Sequence, residues 1–479
     1  MILLAKLSIG LATAGAGLLV VAQSLRPPPL TPPPQAGLVL ADVTVVNPGA
    51  DRHRHQTVVV DGDRIVEVRA VAIDDPKPIC EGCFVLPGLI DAHVHTPPYV
   101  TLGNQELFAL LHVAHGVTTV RDVGASDASV GELAQRLRRG ELVGPRMQRC
   151  GPVLEGDPPA WPVAEVVTTP AQGRAAVHRL ADEGVDCIKV YNEIRRDVFA
   201  AVSEAAAERD LPVLGHVPHD VGLAGVRDFE SQHFTGVPYV RLPRPPVGWD
   251  IRNEDVLAMS TDDVEQALAI ASANNVSFTP TLANFRLRLS ASDPDRFPPP
   301  AAARWLPTFW TEAWDFIAGH PTTTEAIAHQ VASRERLRQV AGRARALGID
   351  VLAGTDTLMP WVVPGDSLHR ELTELATAFG SNEAALESAT SINAAHLAPG
   401  EIGRVAAGYR ADLLVVPADP TVDLDALRAW RIVVADGRRY DRPQLDAWLH
   451  DYAEHFRSPF YSGIMNTVAT VAAGAFSHE

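Results

Sequence analysis

One pattern recurs eight times along the middle of this chain: a short apolar run followed by a stretch with helical spacing. The runs are residues 85–95, 117–123, 147–153, 186–191, 212–216, 229–234, 276–281 and 350–356. Residues 170–183 and 197–208 carry apolar side chains at helical intervals. Residues 261–273 follow a Ser260-x-x-Asp263 capping signal, and 329–347 stops at Gly348. Strands that alternate with helices predict parallel pairing through crossover helices. Eight such units predict an α/β fold, a (β/α)8 TIM barrel, whose active site lies at the C-terminal ends of the strands.

The flanks read differently. Residues 37–84 and 400–440 are rich in β-branched residues and turns, and Asp61-Gly62 is a hairpin signal. They predict a small β-sandwich domain built from both chain ends around a barrel spanning 85–399, with 441–479 as a C-terminal extension. Residues 1–23 carry Lys6, an apolar run from Ile9 to Val21 and a small-residue pattern ending at Ala22. That is the shape of a signal peptide or an uncleaved N-terminal anchor. The run is short against the ~20 apolar residues of a spanning helix. A Pro-rich linker, 24–36, follows and predicts a stiff, extended spacer. The expectation is export: periplasmic, secreted, or tethered to a membrane by the N-terminus.

The chain has 479 residues, 46% of them apolar, with a formal net charge of −17. No Lys/Arg cluster offers a phosphate footprint, which argues against nucleic acid as a partner. A small-molecule substrate is expected, and homo-oligomerisation is left open. Four cysteines suit an oxidising compartment. Cys80 and Cys83 would close a small disulfide or stay as thiols. Cys150 and Cys187 are too far apart in sequence to complete a zinc ribbon.

The ends of the predicted strands carry the chemistry. His93 and His95 are two apart on an extended run, so both rings face the same side. Two imidazoles on a rigid element make half a metal site. Later strand ends supply Lys189, His216, His233 and Asp356. Each has an ordinary structural explanation by itself, but together, in barrel order, they point to one centre.

These residues lie in motifs that resemble the amidohydrolase superfamily, in its imidazolonepropionase-like and prolidase-like (Xaa-Pro dipeptidase-type) branch. The motifs are Leu86-Pro-Gly-Leu-Ile-Asp-Ala-His-Val-His95, Gly116-Val-Thr-Thr-Val-Arg-Asp-Val-Gly124, Ile188-Lys-Val-Tyr191, Gly215-His-Val217, His233, Gly354-Thr-Asp356, Ser367-Leu-His-Arg-Glu-Leu372 and Gly408-Tyr-Arg-Ala-Asp-Leu-Leu414. They run through nearly the whole chain after the linker. The resemblance implies two divalent metal ions, most simply zinc, with manganese or cobalt as substitutes. His93, His95 and Asp356 would hold the buried metal, and His216 and His233 the exposed one. Lys189, carboxylated on its amine, would bridge them, since a carbamate is an anion where an ammonium is a cation.

The implied reaction is hydrolysis of a C–N amide bond, in a dipeptide or N-acyl amino acid, by a metal-bridged hydroxide with Asp356 as general base and then acid. Lactone, carbamate or phosphotriester hydrolysis is the alternative, and a non-catalytic scaffold the more distant one. For a substrate carboxylate, Tyr191 and Arg121 are the candidates; Arg121 pairing with Asp122 or another carboxylate is the competing explanation. His219 and His369 are placed near the barrel mouth. The tryptophans 161, 249, 305, 310, 314 and 361 fall in predicted loops after strands. They suggest an aromatic-lined pocket, against packing of one helix face by Trp310 and Trp314 at i and i+4.

Overall fold

The computed structural model describes residues 23–476, apart from 51, 126, 162, 247–250 and 318–322. The expected signal or anchor segment and Trp249 therefore lie outside the described residues. Among those described, no helix is long and apolar enough to cross a membrane.

Among the described residues, sixteen strands make three sheets. From the N-terminal flank come β1 (Leu38–Val45), β2 (His53–Asp61), β3 (Arg64–Ala70) and β4 (Phe84–Pro87). The C-terminal flank adds β14 (Leu413–Val416), β15 (Ile432–Ala435) and β16 (Arg438–Asp441). These seven form one sheet in the order β16-β15-β14-β4-β1-β2-β3, so the two flanks meet where β14 pairs antiparallel with β4. The hairpin signal holds: Asp61 pairs with Arg64 around Gly62, whose φ is +56°. A separate apolar core that includes Leu40, Val58, Ile65, Val85, Leu413 and Val434 backs this sheet.

The run expected as one strand, 85–95, is two. It breaks at Gly88, after which β5 (Leu89–Val94) leaves the flank sheet and pairs parallel with β6 (Val117–Asp122). A Cβ at position 88 would meet Thr118 Oγ1 at 2.2 Å, so only glycine lets the chain cross so close to the neighbouring strand. The third sheet member beside β6 is β7 (Arg146–Arg149), again parallel.

The remaining parallel strands are β8 (Leu154–Glu155), β9 (Glu165–Val166), β10 (Ile188–Val190), β11 (Val213–Gly215), β12 (Phe229–Gln232) and β13 (Val276–Thr279), ordered β13-β12-β11-β10-β8-β9. Six of the eight expected runs thus hold a strand or strand pair in the parallel sheets in register with a neighbour, and β5 occupies the distal part of the first. The eighth run contains only an isolated bridge, Val351 to Phe278. It is nonetheless bonded on both sides. Leu352 N–H donates to Phe278 O at 2.8 Å, while Ala92 N–H donates to Ala353 O at 3.0 Å and Asp356 N–H to His93 O at 2.8 Å. Side chains replace much of its ladder: the Asn393 amide donates to Ile90 O and Ala353 O, and Asp91 accepts from Thr355.

Helices separate these strands, and their caps follow the sequence signals. Thr169 caps the helix Pro170–Asp182 and Ser260 caps Thr261–Ala273, each through a reciprocal capping box. The C-terminal helices Arg442–Phe456 and Pro459–Phe476 continue the chain beyond the flank sheet. The Pro-rich linker is not a detached spacer at its start: Leu25 is buried and its carbonyl accepts from His455 Nε2 at 3.1 Å.

Cys80 is joined to Cys83, and Cys150 to Cys187. The second bond ties the end of the β7 run to the start of β10, in a buried cluster with Val123 and Leu214.

Candidate metal centre

Strand ends deliver the six expected ligands to one buried place. His93 lies in β5 and His95 just after it, Lys189 lies in β10, His216 follows β11, His233 follows β12 and Asp356 ends the eighth run. His93, His233 and Asp356 alone offer ligand atoms within 4.8 Å of one another. The Nε2 atoms of His93 and His95 each lie 3.3 Å from Asp356 Oδ1, and His233 Nε2 is 4.0 Å from Oδ2. The His216 ring packs edge-on against His233, 5.1 Å between centroids. Lys189 is 1% exposed, and its amine donates to Gln232 Oε1. His233 and Asp356 have φ of +57° and +63°, left-handed values that side chains other than glycine take at some cost. Such strain is characteristic of functional sites, because it aims a side chain where a relaxed strand end would not.

The donor set fits a divalent cation. Neither ring nitrogen of the buried His93 makes a well-formed hydrogen bond; its Nε2 faces Asp356 Oδ1 at 3.3 Å, where a cation between the two would serve both groups. The other three imidazoles have Nδ1 engaged: His95 with Gly124 O at 3.2 Å, His216 with Asn192 Oδ1 at 3.0 Å, and His233 with Thr281 Oγ1 at 2.6 Å. An acceptor on Nδ1 fixes the tautomer that presents Nε2 to a metal. Burial alone would protonate Asp356, but the charge of His233 and contacts with His93 and His95 outweigh it and hold the carboxyl well below its usual range.

Several contributors were not singled out by the sequence, although Asp91 and Glu371 lie within its motifs. Asn192 and Thr281 are found only as the Nδ1 partners just described. Asn284 Nδ2 donates to Asp356 Oδ2 at 2.7 Å. Asp91 accepts from His93 N–H at 3.2 Å and Thr355 N–H at 3.0 Å, joining the first and eighth strand ends. Glu371, in the Ser367–Leu372 motif, accepts from Ala283 N–H at 2.6 Å and so anchors the turn holding Thr281 and Asn284. Outward spacing along a strand or helix could flag the ligands. It could not say which distant side chain would stand behind each one.

Of the two substrate-binding candidates, one lies beside the cluster. Tyr191 stacks on His216 with ring centroids 3.8 Å apart and 26° between planes. Arg121 does not reach the cluster. Its guanidinium is buried in an ion pair with Glu230, its Nε donates to Ala92 O at 2.9 Å, and Thr279 completes the Glu230 carboxylate at 2.6 Å. The charge it was expected to offer a substrate is spent inside the fold, on Glu230 near the start of β12 and not on Asp122. His219 pairs with Glu193 at 3.3 Å, and His369 Nε2 bonds to His115 O at 2.9 Å.

Trp310 and Trp314 follow the packing alternative. They contact each other, Trp314 is 1% exposed, and their indole N–H groups donate to Asn104 Oδ1 and Leu358 O. Trp314 also meets Trp361, so these rings brace the loop after Asp356. Trp161 is exposed.

Residues 84–238, which hold five of the six ligands, match the Amidohydrolase family. The chain thus carries a segment of the Amidohydrolase family. Bottromycin amidohydrolase superposes with a TM-score of 0.71 at 25% identity, covering 88% of this chain and 91% of that one. A putative prolidase from Bifidobacterium longum gives 0.63 at 24%, covering 88% and 100%. A Xaa-Pro dipeptidase with bound methionine gives 0.61 at 20%, covering 85% and 100%. No functionally curated protein matches the sequence. The family match and these neighbours imply a fold of the TIM-barrel type and support a hydrolase acting on carbon–nitrogen bonds.

Proposed function

We propose that this amidohydrolase is exported and cleaves the amide bond of a dipeptide or N-acyl amino acid with two divalent metal ions. The observation that carries this reading is the buried cluster of His93, His233 and Asp356, with ligand atoms within 4.8 Å of one another and His95 Nε2 3.3 Å from the same carboxylate. His93, His95 and Asp356 would hold one ion, His216 and His233 the other, and Lys189 as a carbamate would bridge. Zinc suits this donor set. Bound there, such a pair polarises a carbonyl and makes water nucleophilic near neutral pH.

The chain's own residues do the rest. Asp356 takes a proton from the attacking water as its oxygen bonds to the carbonyl carbon. It returns that proton to the leaving nitrogen as the C–N bond breaks, so the acid and amine products balance. Tyr191, fixed against His216 at the rim, supplies a hydroxyl for a substrate carboxylate. In this reading the eight runs close into a complete (β/α)8 barrel, which the hydrogen bonds flanking residues 350–356 favour. Export is favoured by the N-terminal pattern and by two disulfides.

Metal analysis of the purified protein, with assays on dipeptides and N-acyl amino acids, tests the proposal. Two equivalents with amide turnover, falling to one or none in Lys189→Ala, are expected. Two equivalents with turnover only on lactones or phosphotriesters would overturn the amide assignment. One equivalent or none in the unaltered protein would overturn the bridging lysine.

A further inference from the structure

We infer that Asn284 is a specificity residue that accepts a hydrogen bond from the N–H of the scissile bond, making secondary amides the substrate class. The inference rests on the amide reading above. Asn284 follows β13, on the helix Leu282–Leu287. Its amide orientation is not arbitrary. Its NH2 group donates to Asp356 Oδ2 at 2.7 Å, which turns the amide oxygen away from that contact. That oxygen is buried and has no hydrogen-bond partner among the described residues. A buried amide oxygen left unpaired is costly, and one kept beside a reacting carboxylate calls for a donor from the substrate.

The place of that donor follows from the reaction. To receive a proton from Asp356, the leaving nitrogen must come within hydrogen-bond reach of the carboxylate. Asn284 sits on that same carboxylate, with its amide oxygen on the same small planar group as the bonded NH2. A secondary amide brings one N–H to this position. Donating it to Asn284 Oδ1 leaves the nitrogen lone pair, freed as the carbonyl carbon becomes tetrahedral, to face the proton on Asp356. A prolyl nitrogen has no N–H and would leave Asn284 Oδ1 unpaired. Sites built around such a bond reject analogues lacking the donor far more strongly than apolar pockets reject a missing methylene.

The test uses the metal-loaded full chain and two tetrahedral probes of equal shape, binding being read by calorimetry. One is a methylphosphonamidate of alanine, which has an N–H at the leaving position; the other is the methylphosphonate ester of lactate, which has an oxygen. The expected result is a preference of about ten-fold or more for the N–H probe, falling toward unity in Asn284→Ala and in Asn284→Leu, whose side chain is of similar size. Equal binding of both probes to the unaltered protein would overturn the assignment even if neither variant folds. So would a preference that survives in both variants at full metal load, which would leave Asn284 as a support for Asp356 alone. Failure of both probes to bind, with no amide turnover at full metal load, would instead bring down the amide reading and this inference with it.

Discussion

Asn284 and Asp356 share a hydrogen bond of 2.7 Å on Oδ2, while Oδ1 of the same carboxylate lies 3.3 Å from the Nε2 atoms of both His93 and His95. One carboxylate therefore has a ligand side and an amide-held side. A group that must both bind a cation and pass a proton needs two such sides, and the strained backbone at Asp356 turns it to provide them.

Asp356→Asn keeps the shape and one oxygen but removes the proton acceptor. Turnover should fall by about 10²–10⁴-fold, the usual worth of a general acid–base group, while most of the metal remains. Elemental analysis beside steady-state assays checks this; near-normal activity would assign the proton transfer elsewhere.

Glu371 is wholly buried, which pushes its pKa well above the usual range, and it accepts the Ala283 N–H. Glu371→Leu would orphan that N–H and release the turn bearing Thr281 and Asn284. A loss of about 1–3 kcal/mol in denaturant unfolding is expected, with a fall in kcat. Glu371→Gln retains an acceptor oxygen and should recover most of both.

Glu155 accepts from Gly156 N–H at 2.8 Å and Glu193 N–H at 2.7 Å through one oxygen, and its other oxygen is buried without a partner. Burial pushes its pKa up from 4.5 to about 7. Between those values the folded chain holds a proton that the unfolded chain has lost, so stability falls as pH rises through the window and is level on either side. Glu155→Gln should match the unaltered protein near pH 4.5 and exceed it by up to about 3 kcal/mol at pH 8. Urea unfolding at the two pH values measures the difference, and no gain at pH 8 would contradict the burial argument.

The Cys150–Cys187 bond closes a loop with a sequence separation of 37. Constraint of the unfolded chain by a loop of that size is worth about 4 kcal/mol. Reductant, or paired Cys→Ala substitution, should lower the unfolding free energy by about that amount. Thiol titration under denaturing conditions should count free thiols only after reduction.

Periodicity alone located the alternating strands and helices, because side chains repeat every second residue on a strand and every 3.6 on a helix. It also marked the strand ends at His93, Lys189, His216, His233 and Asp356, since chemistry-bearing residues interrupt apolar runs visibly. The break at Gly88 escaped that reading: apolar spacing is the same on both sides, and only the approach of Thr118 reveals two sheets. The eighth run looked like its neighbours, yet Asn393 and Asp91 took over its ladder bonds.

What the sequence by itself marked is the alternation of strands and helices and the chemistry-bearing residues at the strand ends, because both are written in local spacing and residue type; the kind of reaction came from the motifs' resemblance to a family. Tertiary structure decided the roles of the supporting residues. It sent Arg121 to Glu230 rather than to a substrate, joined Cys150 to Cys187, and set Asn284 on Asp356. The physical reason is that a charge or an amide takes its function from its partner, and these partners lie 109, 37 and 72 residues away. No local pattern encodes a pairing over such distances; only the packing of the folded chain brings the two ends together.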